Sequence, residues 1–531
     1  MRKFMAVALC AVVSLSAIAF SACNEEVWRY NDYIGVENDG FDKDIFYRND
    51  GQVIGADPSV ITVGDTYYLY VTSADGTGET GSVRGYKSKN LTDWEPLGVV
   101  FVPQRDSWGV TNIWAPEVIE KDGTFYMYYS ALNTAWVDAG SIEDEENGTI
   151  PKYGLGVATS SSPEGPFVNI EGKFSGQKYS HTEIPIKIAF ENGVALKTID
   201  ASPFIDDDGR VYLYFSRDQY RKSSSIWGVE LESDMVTVKQ GTLKQLVSVS
   251  QDWERPADTS SNSWNEAPFM IKHEGKYYLT YSANAYTDFN YAVGVAVSDN
   301  PLTGFKKSEN NPVLEADSDI MYVSGTGHNS IFPSADGTEL WMAYHEHVDV
   351  EAGGGIRKIA FDRVEFDEKG NMVVCGPSIS PQLLPSGSSD WKNVASLAAV
   401  SSTGAEGAQI LTDGIISAQY LRAAEYEYAM SGNKTTITFT FPQNVTIKAV
   451  MIYDSVDYVY SSESVEVSVG NHTIKDLPFD TRYRYMDGEF GVKIPASAAI
   501  AEFTDTLTDT VKVTFFGDVA ASEIVIVGKE A

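Results

Sequence analysis

Basic residues are scarce in this chain: of 531 residues, 40 are Lys or Arg against 74 Asp or Glu, a formal net charge of −34. Such a chain has little with which to neutralise phosphates, which excludes a nucleic-acid partner and suits a neutral substrate. Acidity of this kind serves solubility more than it selects an acidic partner. Cysteine is scarcer still, with Cys10 and Cys23 near the start and Cys375 alone in the body. No intrachain disulfide framework can therefore staple the mature body. Long apolar runs are absent after the N-terminal stretch, so no later segment is apolar enough to cross a membrane as a helix. Aromatics, by contrast, are abundant at 12%, with 30 Tyr and 10 Trp, which suits an all-β protein or a sugar binder. The length predicts two domains.

The chain opens with "MRKFMAVALCAVVSLSAIAFSACNEE". Two basic residues precede an apolar run of roughly 16 residues that ends in small side chains, the pattern of an export signal. Phe20-Ser21-Ala22-Cys23 resembles a bacterial lipobox, with Phe where Leu is commoner. The resemblance implies a lipoprotein signal peptide over residues 1–22 and a lipidated Cys23 as the first mature residue. Membrane attachment would then be through that lipid only. Asn24-Glu25-Glu26 resembles the export tags of surface lipoproteins. The expected location is thus an outer-membrane or periplasmic lipoprotein, carried to the cell surface where such a tag operates. Simple secretion after cleavage near Ala22 is the competing expectation.

One pattern recurs five times: "DPSVITVGDTYYLYVTSA" from Asp57, "APEVIEKDGTFYMYYSAL" from Ala115, "SPFIDDDGRVYLYFSRD" from Ser202, "APFMIKHEGKYYLTYSAN" from Ala267 and "NSIFPSADGTELWMAYHE" from Asn329. Each is a short apolar run, a Gly/Asp turn and an alternating aromatic strand ending in Ser, Tyr or His, which is a β-hairpin. Pro58, Pro116, Pro203, Pro268 and Ser330 serve as anchor positions, and further strand-like pairs follow most hairpins. Four strands per unit and five units predict an all-β fold, a five-bladed β-propeller over residues 47–385 after an N-terminal segment at 23–46. Insertions around residues 136–152 and 175–193 are expected to decorate one face. A Pro/Gly/Ser-rich linker then leads into period-two strands over 386–531, a β-sandwich of ordinary domain size.

The first strand of a propeller blade lines the central channel, so residues just before the five anchors converge on one rim. They are Asp57, Trp114, Asp200, Glu266 and His328. A lone Asp before Pro is usually a turn residue, but three acids on one rim call for chemistry. "ADPSV", "DASPF" and "NEAPF", together with "WAPEV" and "GTGHNSIF", resemble glycoside hydrolase family 43, over roughly Asp57 to Val374. The resemblance implies an inverting hydrolase acting on plant cell-wall polysaccharide, of the α-L-arabinofuranosidase or β-xylosidase type, with an oligo- or polysaccharide as partner and no required cofactor. Asp57 would be the general base, Glu266 the general acid, and Asp200 the residue that orients Glu266 and raises its pKa. Inversion needs such a pair, one carboxylate activating water and one carboxylic acid protonating the leaving oxygen.

The remaining assignments are looser. His328 resembles the family's channel histidine, which in several members ligates a calcium or a water, so a structural calcium in the channel is a candidate. Arg357 resembles a family arginine that reaches the bound sugar. Trp114 reads equally as a sugar platform or as channel packing, and Trp108 and Trp264 are loop aromatics able to stack on sugar. His345 and His347 read as packed side chains, since no further Cys/His set completes a metal site. The C-terminal order of strands resembles a discoidin-type (F5/8 type C) galactose-binding-like jelly roll, either binding carbohydrate or bracing the propeller. Competing readings are a galactan- or arabinan-acting member of the same family and a non-catalytic glycan-binding surface lipoprotein. Oligomeric state is left open.

Overall fold

The computed structural model describes residues 34–36, 41–49, 51, 53–73, 81–104, 107–134, 152–170, 186, 188, 197–219, 222–255, 263–317, 322–419, 422–479, 481–486, 489–493 and 497–530. The signal segment with Cys23, and most of the two expected insertions, lie outside the described residues.

Five four-stranded antiparallel sheets follow one another in the chain. Their inner strands are Ala56–Val63, Gly109–Lys121, Lys197–Ile205, Asn265–His273 and Gly327–Pro333. The second strands are Thr66–Thr72, Thr124–Asn133, Val211–Gln219, Lys276–Ala283 and Leu340–His347. The hairpin turns between them need a left-handed residue, supplied for example by Gly64 (φ 62°) and Gly123 (φ 77°). Each inner strand lies against the next, and the fifth lies against the first. The ring is therefore closed: a five-bladed β-propeller, as the repeats predict.

Closure has its own packing. Val60, Tyr67, Leu69 and Val71 of the first blade share one buried cluster with Phe332, Trp341, Ala343, Ile359 and Phe361 of the fifth. The segment entering the first blade also zips onto the fifth, with Gly55 N–H donating to the Arg357 carbonyl (2.9 Å) and Ile359 N–H to the Val53 carbonyl (2.9 Å). These bonds fix Arg357 beside the start of the first inner strand, where Asp57 lies.

The C-terminal region forms two layers that share long bent strands. Residues Thr435–Asp454 are one strand. Its register shifts between Thr440 and Val445, around Pro442, the place in a strand where a proline is tolerated. Ile437, Phe439, Val467, Val513, Ile447, Ile452 and Ile526 fill the core between the layers. A second face, Ala449, Met451, Tyr453, Ile500 and Val525, packs on Ile45, Phe46 and Cys375 of the propeller side. The sandwich is thus joined to the propeller through an apolar interface.

Candidate active site

Every inner strand breaks register at an equivalent place, Ala56/Ser59, Trp114/Glu117, Ile199/Ser202, Glu266/Phe269 and Gly327/Ser330, and the second does so twice more, at Gly109/Thr111 and Thr111/Trp114. The residue after the break is left-handed each time: Asp57 (φ 53°), Ala115 (47°), Asp200 (57°), Ala267 (52°) and His328 (51°). A non-glycine residue held there costs about 1 kcal/mol or more, and such strain collects at functional sites. These bulges also correct the sequence alignment. Pro58 is equivalent to Pro116, Ala201, Pro268 and Asn329, so the anchors chosen at Pro203 and Ser330 are slipped. Asp57, Asp200 and His328 occupy the bulge position itself, whereas Trp114 and Glu266 precede it by one residue.

A bulge leaves a backbone N–H without a ladder partner, and a buried N–H must find another. Here each blade's bulge N–H donates to a side chain in the last few residues of the previous blade's second strand. Ala115 N–H donates to Thr72 Oγ1 (2.8 Å), Asp200 to Ser130 Oγ (2.9 Å), Ala267 to Ser216 Oγ (3.1 Å) and His328 to Ser282 Oγ (2.8 Å). Asp57 N–H completes the circle by donating to His345 Nδ1 (3.2 Å).

Asp57 is buried beneath two nitrogen groups and a hydroxyl. Arg357 NH1 donates to its Oδ1 (3.0 Å), His328 Nδ1 lies 3.2 Å from the same oxygen, and Thr72 Oγ1 donates to Oδ2 (2.7 Å). Burial alone pushes the Asp57 carboxyl up. His328 and then Arg357 outweigh it and hold the group well below the usual carboxylate range. Asp57 is a carboxylate at any working pH.

Glu266 is the opposite case. Burial first, and then the neighbouring Asp200, push its carboxyl up to about 8, against the hydrogen bond that Tyr291 OH donates to Oε1 (2.9 Å). Asp200 is raised as well, by burial and by Asp57. The two share a site too crowded for two negative charges, and the proton belongs on Glu266. Asp200 Oδ2 accepts from both Ala267 N–H (3.1 Å) and Ser216 Oγ (3.2 Å), whereas Glu266 has only the Tyr291 hydroxyl among the described residues. The anion with more donors keeps the charge. Through the Ala267 bond Asp200 grips the peptide immediately after Glu266.

Other expected residues fare differently. Arg357 meets the site through Asp57 and lies 4.6 Å from the ring centroid of Tyr286, an exposed rim residue. Trp114 is half-buried and stacks on Tyr153 at 5.0 Å between centroids. Trp264 is half-buried, two residues before Glu266. Trp108 is a correction: it is buried and stacked on Tyr129 at 6.4 Å in the core of the second blade, with no face left for sugar. His347 is packed as expected, between Ser324 Oγ (2.9 Å) and the Tyr286 carbonyl (2.8 Å).

His328 does not have the surroundings of a calcium ligand. Calcium takes about six to eight oxygens, yet the Nδ1 of His328 faces an Asp57 oxygen already held by the Arg357 guanidinium. Among the described residues no three His, Cys, Asp or Glu side chains are grouped to hold a metal. The residues present do not fit the ion.

Sequence reading missed Tyr291, His345 and the latch hydroxyls. The visible signal was the polar residue near the end of each second strand. Its meaning depends on the neighbouring blade.

Comparison with known proteins bears on this geometry. The family model Glycosyl hydrolases family 43 matches residues 51–372. A β-D-galactofuranosidase from Aspergillus niger is 26% identical over 332 residues, covering 60% of this chain and 81% of that protein. A xylosidase/arabinosidase from Humicola insolens is 24% identical over 365 residues, covering 61% and 97%. The crystal structure of a thermostable family-43 glycoside hydrolase is similar at 36% identity with a TM-score of 0.53, covering 64% of this chain and 99% of that one.

Proposed function

The chain belongs to glycosyl hydrolases family 43 and is an inverting glycoside hydrolase, and we propose that it releases arabinofuranosyl or xylosyl units from plant cell-wall polysaccharide. Asp57 is the general base, Glu266 the general acid, and Asp200 positions Glu266. The observation that carries these roles is the opposed protonation of two carboxyls from non-adjacent blades, Asp57 held ionised and Glu266 held protonated. Pairs of titratable groups driven apart in this way mark acid and base assignments.

In the proposed reaction a water beside Asp57 attacks the anomeric carbon as the glycosidic bond breaks. The water's proton passes to Asp57 Oδ, and the Glu266 proton passes to the leaving oxygen. Inverting pairs stand about 6.5–9.5 Å apart to admit that water. Asp57 raises the Glu266 carboxyl less than Asp200 does. Arg357 and His328 hold the Asp57 oxygen so that its free lone pair is aimed rather than mobile. Tyr291 anchors Glu266 Oε1, leaving Oε2 to deliver the proton.

The choice of sugar is supported by the xylosidase/arabinosidase among the relatives. It is tested on nitrophenyl arabinofuranoside, xyloside and galactoside, with the anomer of the first product read by NMR. Cleavage with inversion of an arabinofuranoside or xyloside is expected, abolished in Asp57→Ala and Glu266→Ala. Turnover of the galactoside alone would refute the sugar, and activity surviving both substitutions would refute the mechanism. We also assign Cys23 as the lipidation site of an exported lipoprotein. Cys23→Ala should move the protein from the membrane to the soluble fraction, and unchanged membrane retention would contradict this.

A further inference from the structure

Four of the five bulge latches are hydroxyls, and the one under the general base is an imidazole. The geometry points to His345 as a positioning residue for catalysis: its Nδ1 accepts the Asp57 N–H and so fixes the left-handed bulge that aims the Asp57 carboxylate. This inference rests on Asp57 acting as the base.

A hydroxyl latch accepts and donates at once. Thr72 uses its proton on Asp57 Oδ2 and Ser216 uses its own on Asp200 Oδ2. An imidazole accepting at Nδ1 carries its proton on the far nitrogen and has none to give to Asp57. The latch therefore grips the backbone of the base, and although its Nδ1 also lies 3.5 Å from the Asp57 Oδ1, it carries no proton to donate there. His345 is fully buried, and burial together with the nearby Arg357 holds it neutral, with its pKa brought down to about 3. Its acceptor thus persists at working pH.

The ring also reaches what a serine would not. It stacks on Tyr291 (5.5 Å between centroids, 8° between planes) and lies 5.9 Å from His328. Tyr291 is the donor to Glu266, and His328 faces Asp57. One flat side chain thus wedges the support of the base against the support of the acid. Its Nε2 is buried and has no protein hydrogen-bond partner among the described residues.

The test compares His345→Asn, whose Oδ1 can take the place of Nδ1, with His345→Leu and His345→Phe, which fill space and accept nothing. Misplacing a catalytic group by about 1 Å costs on the order of 100-fold. The apolar variants should therefore fold with melting temperatures near wild type and lose about 10- to 100-fold in kcat, with KM changed by less than about threefold. Asparagine should recover most of that loss. A folded apolar variant with wild-type kcat would overturn the inference, as would equal losses in Asn and the apolar variants. Failure of both apolar variants to fold would also overturn it, by making His345 a stability residue. Asp57→Ala, measured alongside, separates these outcomes from failure of the base assignment itself.

Discussion

Glu266→Gln should stabilise the protein, and by an amount that grows with pH. Folded Glu266 keeps its proton to about pH 8, while in the unfolded chain it titrates near 4.5. Between these values the folded state binds a proton that the unfolded state has released. Wild-type stability therefore falls as pH rises, by about 1.4 kcal/mol per pH unit. The contribution is intact below pH 4.5 and is lost by the time pH passes 8. At pH 7 the interval of two and a half units amounts to about 3 kcal/mol. Glu266 is only half-buried and shares its site with Asp200, so a gap of about 1–3 kcal/mol is expected. Glutamine cannot ionise and escapes this loss. The assay is urea unfolding of both proteins at pH 5, 6, 7 and 8, comparing midpoints at equal m. Hydrolysis should meanwhile fall by on the order of 1000-fold, since general acid catalysis contributes about 100- to 10,000-fold. A stability gap that stayed flat from pH 5 to 8 would refute the claim that folding holds Glu266 protonated.

Three other outcomes follow from the same geometry. Tyr291→Phe removes a donor to the ionised Glu266, so the alkaline limb of kcat/KM should move to higher pH; Asp200→Asn removes a like charge and should move it lower, and shifts in the same direction would contradict the assignment. Trp108→Phe should cost about 1–3 kcal/mol of stability with kcat/KM kept within twofold, whereas Trp114→Ala should raise KM; a KM effect at Trp108 would return it to the sugar site. Prolonged treatment with a chelator should leave hydrolysis unchanged, and a loss restored by calcium would show that His328 holds an ion after all.

Much of the fold was legible because the propeller repeats. Five aromatic hairpins with Gly/Asp turns, each too small to bury its own faces, predict a closed ring of sheets. The acids were legible because that ring brings the bulge of every repeat, and the residue before it, to a common rim. The anchors at Pro203 and Ser330 slipped because a bulge inserts a residue without any marker of composition. Trp108 misled because its sequence neighbourhood is a loop, while the cluster that buries it comes from other strands, including Tyr70 and Tyr129.

By itself the sequence determined the strand period, the five-fold repeat, the negative charge and the placing of Asp57, Asp200 and Glu266 near the same ends of their strands. These are local properties, written in spacing and residue type. Only the tertiary structure decided which of the three acids holds the proton. It also decided that Trp108 is core, that His328 serves Asp57 rather than a metal shell, and that His345 closes the ring of latches. Those outcomes depend on burial and on charges from other blades. Arg357 lies 300 positions from Asp57 in the chain and 3.0 Å from it in space. A pKa follows the second of those distances.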